Sequence, residues 1–162
     1  MMDLKTMIYI QSEAEFSRAR RRGFWESMHG LATGHPSYLL PFDEVIKGLP
    51  APPTLDLGLQ DIPLKYIGGS AGRTRDFTHH FMPLMSDERG KERWRTIYYL
   101  AVSGAGFPPV EVSQLGSLYF VQDGHHRVSV ARYLGWSTIQ AYVTGWPSLP
   151  GGAADLMGQS QR

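Results

Sequence analysis

The chain has 162 residues, with 16 Lys and Arg against 15 Asp and Glu, six His, no Cys and a formal net charge of +1. That length is enough for one domain with a buried core and a small appendage. The near-zero charge argues against a protein that simply coats nucleic acid, and the lack of Cys excludes disulfides, thiolate nucleophiles, Cys-ligated zinc and iron–sulfur clusters. The longest uninterrupted apolar run, residues 97–102, is far too short to span a bilayer, and the acids Asp3 and Glu13 near the start do not suit a signal peptide. The expectation is a cytoplasmic protein without membrane association.

Residues 1–48 read as an N-terminal helical extension. Ser12 and Glu15 have the spacing of a capping box. Phe16, Ala19, Phe24, Met28 and Leu31 recur near helical spacing, and Gly34 is a stop. A shorter helix is expected over 42–47. Residues 49–60 open with the run LPAPP and read as a Pro-rich linker. The main domain is assigned to 61–146, and 147–162 to a flexible tail with too little apolar content to fold alone. A strand candidate at 64–67 runs into Gly68-Gly69-Ser70-Ala71-Gly72, where the glycines imply a tight turn or a close approach of backbone to a ligand. A helix follows over 86–103, capped by Ser86, with Trp94, Ile97, Tyr98 and Ala101 on its apolar face. Strands at 110–113 and 118–122 flank a turn at Gly116. Asp123-Gly124 then leads into a helix ending at Gly135, and a strand covers 139–143. Strands and helices with short connections give a mixed α/β (α+β) fold.

The segment Asp123-Gly124-His125-His126-Arg127 is the most informative. A buried strand delivers the chain to Asp123, Gly124 permits a sharp turn, and His125, His126 and Arg127 occupy the first turn of a helix. Uncapped amides and the positive end of the helix dipole converge there, which suits an anion. Arg127 adds a fork matched to phosphate, and His126 a donor near neutral pH. Asp123, His125 and His126 are the candidate catalytic residues. Gly124, His126, Arg127, Gly69, Ser70, Arg73 and Arg75 are the candidate phosphate or nucleotide contacts.

Residues 62–143, about half the chain, resemble the ParB N-terminal/sulfiredoxin superfamily. The resemblance rests on the Asp123–Arg127 turn and on the helix closing at Tyr133-Leu134-Gly135. The upstream segment Ile67 to Phe77 is similar to the family's Arg-bearing loop, and Pro108-Pro109-Val110-Glu111-Val112 to the strand after its middle helix. The resemblance implies a ParB/sulfiredoxin-like domain with a mixed sheet. In this family the turn holds a nucleotide phosphate, and the Gly69–Arg75 loop would reach the same phosphates. Sulfiredoxin places its catalytic Cys where this chain has His125, so sulfinic-acid reduction is excluded. ParB proteins have an acid before two Arg and continue into a helix-turn-helix and a dimerisation segment. Here a His replaces the acid and only 35 residues follow the turn, so a complete partition protein is not expected. Free-serine kinases and some nucleases share the fold.

Other residues invite weaker readings. Arg73 and Arg75, two apart, would point the same way from an extended segment. His79 and His80, with Asp76, raise a metal hypothesis beside Asp123, His125 and His126, although adjacent His rarely ligate one ion together. Asp123 would hold Mg²⁺ through a bound nucleotide. Arg18, Arg21 and Arg22 share a helix face that would suit DNA or an acidic partner, with a solvated face as the plainer alternative. The reading that unites these features is a nucleotide- or phosphate-binding regulatory module, with ATP, ADP or CTP and Mg as ligand, linked to DNA or a partner protein and able to form a homodimer. The alternative is an enzyme at the same turn: a Mg-dependent phosphotransferase, or a nuclease of ParB-like type.

Overall fold

The computed structural model describes residues 1–49 and 54–146. Residues 50–53 of the expected linker, and the tail from 147 onward, lie outside the described residues. Helix α1 spans Leu4–Thr33, starting where Asp3 accepts the amide of Thr6 at 2.7 Å. The capping box expected at Ser12 and Glu15 is therefore not a helix start. Ser12 is a buried mid-helix residue whose hydroxyl donates to the Tyr9 carbonyl at 2.5 Å and accepts from Arg95 Nε at 3.0 Å. The expected apolar face also divides. Phe16 and Ala19 are buried, while Phe24, Met28 and Leu31 are exposed. Farther along α1 the packed positions are Gly23 and Gly30.

After α1 come β1 (Leu40–Pro41) and a short α2 (Phe42–Ile46). Strand β2 (Leu55–Pro63) occupies the second half of the stretch read as linker, and pairs antiparallel with the last strand, β6 (Thr138–Trp146). Residues 64–66, expected to be extended, form a 3-10 turn, and the strand lies one step later as β3 (Ile67–Ser70). Helix α3 (Glu88–Val102) is capped by Asp87, which accepts the Gly90 amide at 2.9 Å, rather than by Ser86. Strands β4 (Val110–Leu115) and β5 (Leu118–Asp123) form the expected hairpin, and α4 (His125–Tyr133) precedes β6.

The sheet has six strands in the order β1-β3-β5-β4-β6-β2. β4 pairs antiparallel with β5 and parallel with β6, while β3 runs parallel to β5. The fold is thus α/β with a mixed sheet and an N-terminal helix. Burial alternates along β6, where Ile139, Ala141 and Val143 face the core. Helix α4 is sandwiched: Val128 and Ala131 join the sheet cluster, and Val130 joins Phe16, Ala19, Trp94 and Tyr98 between α1 and α3. Trp94 Nε1 donates to Ser129 Oγ at 3.0 Å, so the polar groups at this seam are satisfied. The start of α4 is consequently fixed from both sides.

Candidate functional site

Strand β5 ends at Asp123, and Gly124 turns the chain with φ 104° into α4. A Cβ at Gly124 would lie 2.6 Å from Val110 Cγ1, so both conformation and space demand glycine. As N-cap, Gly124 supplies no side chain to the first-turn amides, which leaves the positive end of the helix directed at the groove beside it.

That groove has a volume of about 540 Å³ and lies between the α4 start and α3. Its lining includes four guanidinium groups, Arg73, Arg89, Arg93 and Arg127, against the two carboxylates Glu92 and Asp123. Asp123 and Arg127 neutralise each other at 2.9 Å, and Arg127 Nη1 also donates to the carbonyls of Pro108 and Pro109 at 3.0 and 2.7 Å. Glu92 is engaged outside the groove by Tyr9 and by Arg95. No carboxylate among the described residues pairs with Arg89 or Arg93, so the groove retains a positive excess. Arg73, at a left-handed φ of 36°, reaches it from the loop after β3 and lies 3.8 Å from Asp76.

The two histidines of the turn do different things. His125 Nε2 lies 2.5 Å from Ser70 Oγ, whose own proton goes to the Gly72 carbonyl at 2.8 Å. The hydroxyl therefore accepts from His125, which fixes the neutral tautomer with the proton on Nε2. The ring stacks on Phe77, with centroids 6.2 Å apart. His126 packs its edge on the same Phe77 at 5.5 Å, and its Nε2 is buried without a hydrogen-bond partner. Burial, then the neighbouring Arg73, pulls both histidines down to about 4, and Arg93 depresses His126 further. Both are neutral at pH 7. A second, smaller recess shares His126, Arg73, Arg89 and Arg93 with the groove.

The expected contacts separate accordingly. The structure brings Asp123, Gly124, His125, His126, Arg127 and Arg73 to one groove. Arg75 is directed elsewhere, with its guanidinium 5.7 Å from the Tyr38 ring. Gly69 serves strand packing: a Cβ there would meet Phe120 at 2.3 Å and the Leu40 carbonyl at 2.6 Å. Ser70 acts through His125. Arg18, Arg21 and Arg22 line a different depression along α1, where Arg18 pairs with Glu15 at 2.9 Å and Arg22 lies 5.8 Å over Tyr133. The sequence reading missed Arg89, Arg93 and Thr96. Their spacing of four and three residues places them along α3 beside Ile97, a signal that was present but is common on solvated helices. No helix among the described residues is long and apolar enough to cross a membrane.

Comparison with protein families and with curated proteins finds no match. Among solved structures, the chain is similar to a sulfiredoxin from Arabidopsis thaliana at 19% identity and a TM-score of 0.38, over 64% of this chain and 97% of that one.

Proposed function

We propose that the groove at the start of α4 binds a phosphorylated small molecule, a nucleotide in size and charge, and that its primary role is binding rather than turnover. The observation that carries this reading is the buried Nε2 of His126, which has no partner and lies where an uncapped helix start meets the unpaired Arg89 and Arg93. A buried polar atom left unpaired costs roughly 1–3 kcal/mol, a cost that a phosphate oxygen or its bridging water would remove. The volume falls within the range of small-ligand sites, and the excess of guanidinium groups selects an anion. Both histidines sit far below the pH at which they would exchange protons efficiently, which disfavours acid–base chemistry in the unliganded site.

A regulatory role follows if the ligand is kept intact. The enzyme reading draws on Asp123, whose mostly exposed carboxylate lines the groove and suits a phosphate-bound Mg²⁺. Thermal shift and calorimetry with ATP, ADP, CTP, GTP and inorganic phosphate, each with and without Mg²⁺, test the proposal. A ligand at 100 times its Kd stabilises by about 2.7 kcal/mol. The expected result is a shift for at least one nucleotide that is lost in Arg93→Ala and reduced in His126→Asn. No shift with any of them overturns the reading. Conversion of the nucleotide to product, abolished in Asp123→Asn with binding retained, would establish phosphotransfer instead.

A further inference from the structure

The loop between β3 and α3 carries a second pair of adjacent histidines, and the fold gives it a partner that sequence order hides. Residues 78–81 form a tight turn in which the Phe81 amide donates to the Thr78 carbonyl at 2.8 Å. His79 and His80 are its two central residues, and their rings lie on the same side with centroids 3.8 Å apart. This answers the objection that neighbouring histidines point away from each other, which holds on a strand or helix. Phe81 anchors the turn: it is fully buried and keeps a left-handed φ of 61°, an uncommon conformation for a bulky residue.

Helix α1 delivers Glu26 to the same place. Gly23 and Gly30 flank Glu26 on one face of α1, and each allows close contact with another segment. A Cβ on Gly23 would lie 2.6 Å from the Pro83 carbonyl oxygen, and one on Gly30 would lie 2.7 Å from that of His35. Glu26 Oε2 is buried, has no hydrogen-bond partner, and lies 3.4 Å from His80 Nδ1. One ligand atom from each of Glu26, His79 and His80 falls within 4.8 Å of the others, the one such group of three among the described residues.

We infer that Glu26, His79 and His80 form a binding site for a borderline divalent transition-metal ion of the zinc class. Two imidazole nitrogens and one carboxylate oxygen are a donor set that favours such ions over Mg²⁺ or Ca²⁺, which prefer all-oxygen sites. Ligands at zinc bond lengths of about 2.0–2.1 Å stand roughly 3.3 Å apart in a tetrahedron, close to the observed Glu26–His80 separation. His79 Nδ1 is held by Ser37 Oγ at 2.6 Å, and Ser37 is buried, so the ring is oriented with Nε2 left to bind metal. Burial, then His80, keeps His79 below the usual histidine range and therefore neutral at pH 7. Burial works to raise the carboxyl of Glu26, but His80 and Thr78 outweigh it and keep the group ionised. Arg132 faces this cluster from α4 without taking the carboxylate, because its Nη2 donates to the carbonyls of Leu64 and Ile67 at 2.5 and 3.1 Å.

The test is direct titration of the chelator-stripped chain with ZnCl₂ by calorimetry and with CoCl₂ by visible absorption. One equivalent of zinc is expected, with cobalt giving the ligand-field bands of nitrogen and oxygen coordination. Glu26→Gln and His80→Ala should each weaken zinc binding by about 10-fold or more. His80 has an exposed side chain, so that variant folds even if the substitution at Glu26 perturbs the core. Arg93→Ala should bind zinc as wild type does, which separates this site from the phosphate groove. Failure of the stripped chain to take up zinc, or full uptake by His80→Ala, overturns the assignment.

Discussion

The two His-His pairs of this chain have the same chemistry in sequence and opposite circumstances in the fold. His125-His126 begins a helix sandwiched between the sheet and α3, so both rings are buried against Phe77 and both are held neutral to about 4. His79-His80 occupies the tip of a turn, with rings tilted against each other at 3.8 Å beside a carboxylate. What differs is the company each pair keeps. Guanidinium groups line the groove beside the first, whereas the carboxylate of Glu26 faces the second. Local sequence sets which donors are available, and the partners brought by distant elements decide which charges face them.

The largest expected effect comes from removing the residue that keeps the first pair buried. Phe77 is fully buried and touches both rings, so Phe77→Ala should cost about 3–5 kcal/mol in urea denaturation. It should also let both imidazoles titrate closer to 6.5, readable as histidine ring shifts by NMR. An unchanged titration in the variant would show that the neighbouring arginines, not burial, hold the pair neutral.

The pH dependence of stability is next in size. The folded values of about 4 lie below the ordinary 6.5, so between those limits the unfolded chain binds protons that the folded chain refuses. Stability from this source is complete above pH 6.5, falls as pH drops through the window, and levels off near pH 4. Each histidine accounts for roughly 3 kcal/mol by linkage. His126→Gln should flatten part of the curve.

How far these sites could be read in advance follows the same division. The hairpin β4–β5, helix α4 and strand β6 were legible because alternating apolar residues, Gly116, Gly124 and Gly135 punctuate them within short range. The groove's centre at Asp123–Arg127 was legible for the same reason: one turn carries it. Strand β2 was not, because its leucines alternate beside a Pro-rich run and Leu55, Leu57 and Leu59 are exposed, so the pattern resembles a linker. Arg89 and Arg93 needed the packing of α3 on α4 to gain meaning. Glu26 needed α1 to cross the loop at Gly23, a contact between residues that no local pattern relates.

A smaller effect sharpens the contrast inside the first pair. Ser70→Ala removes the acceptor of the His125 Nε2 proton in a buried setting and should cost about 1–3 kcal/mol, measured by thermal or urea unfolding. Nucleotide affinity should change little, because Ser70 does not line the groove whereas both histidines do. A loss of affinity as large as that in Arg93→Ala would mean that His125, too, contacts the ligand.

The smallest effect is expected at the second pair in metal-free protein. His80 has a half-exposed side chain, and its contact with Glu26 at 3.4 Å is an ion-pair distance without a hydrogen bond. His80 is the exposed partner of this half-buried contact, so His80→Ala should shift unfolding by no more than about 1 kcal/mol without metal. With zinc present the two proteins should diverge, because only the wild type gains the binding free energy of the ion. The contrast with Phe77→Ala is then complete: one pair is a buried part of the fold whose disturbance is felt without any ligand, and the other becomes structural only when an ion joins Glu26 to the turn.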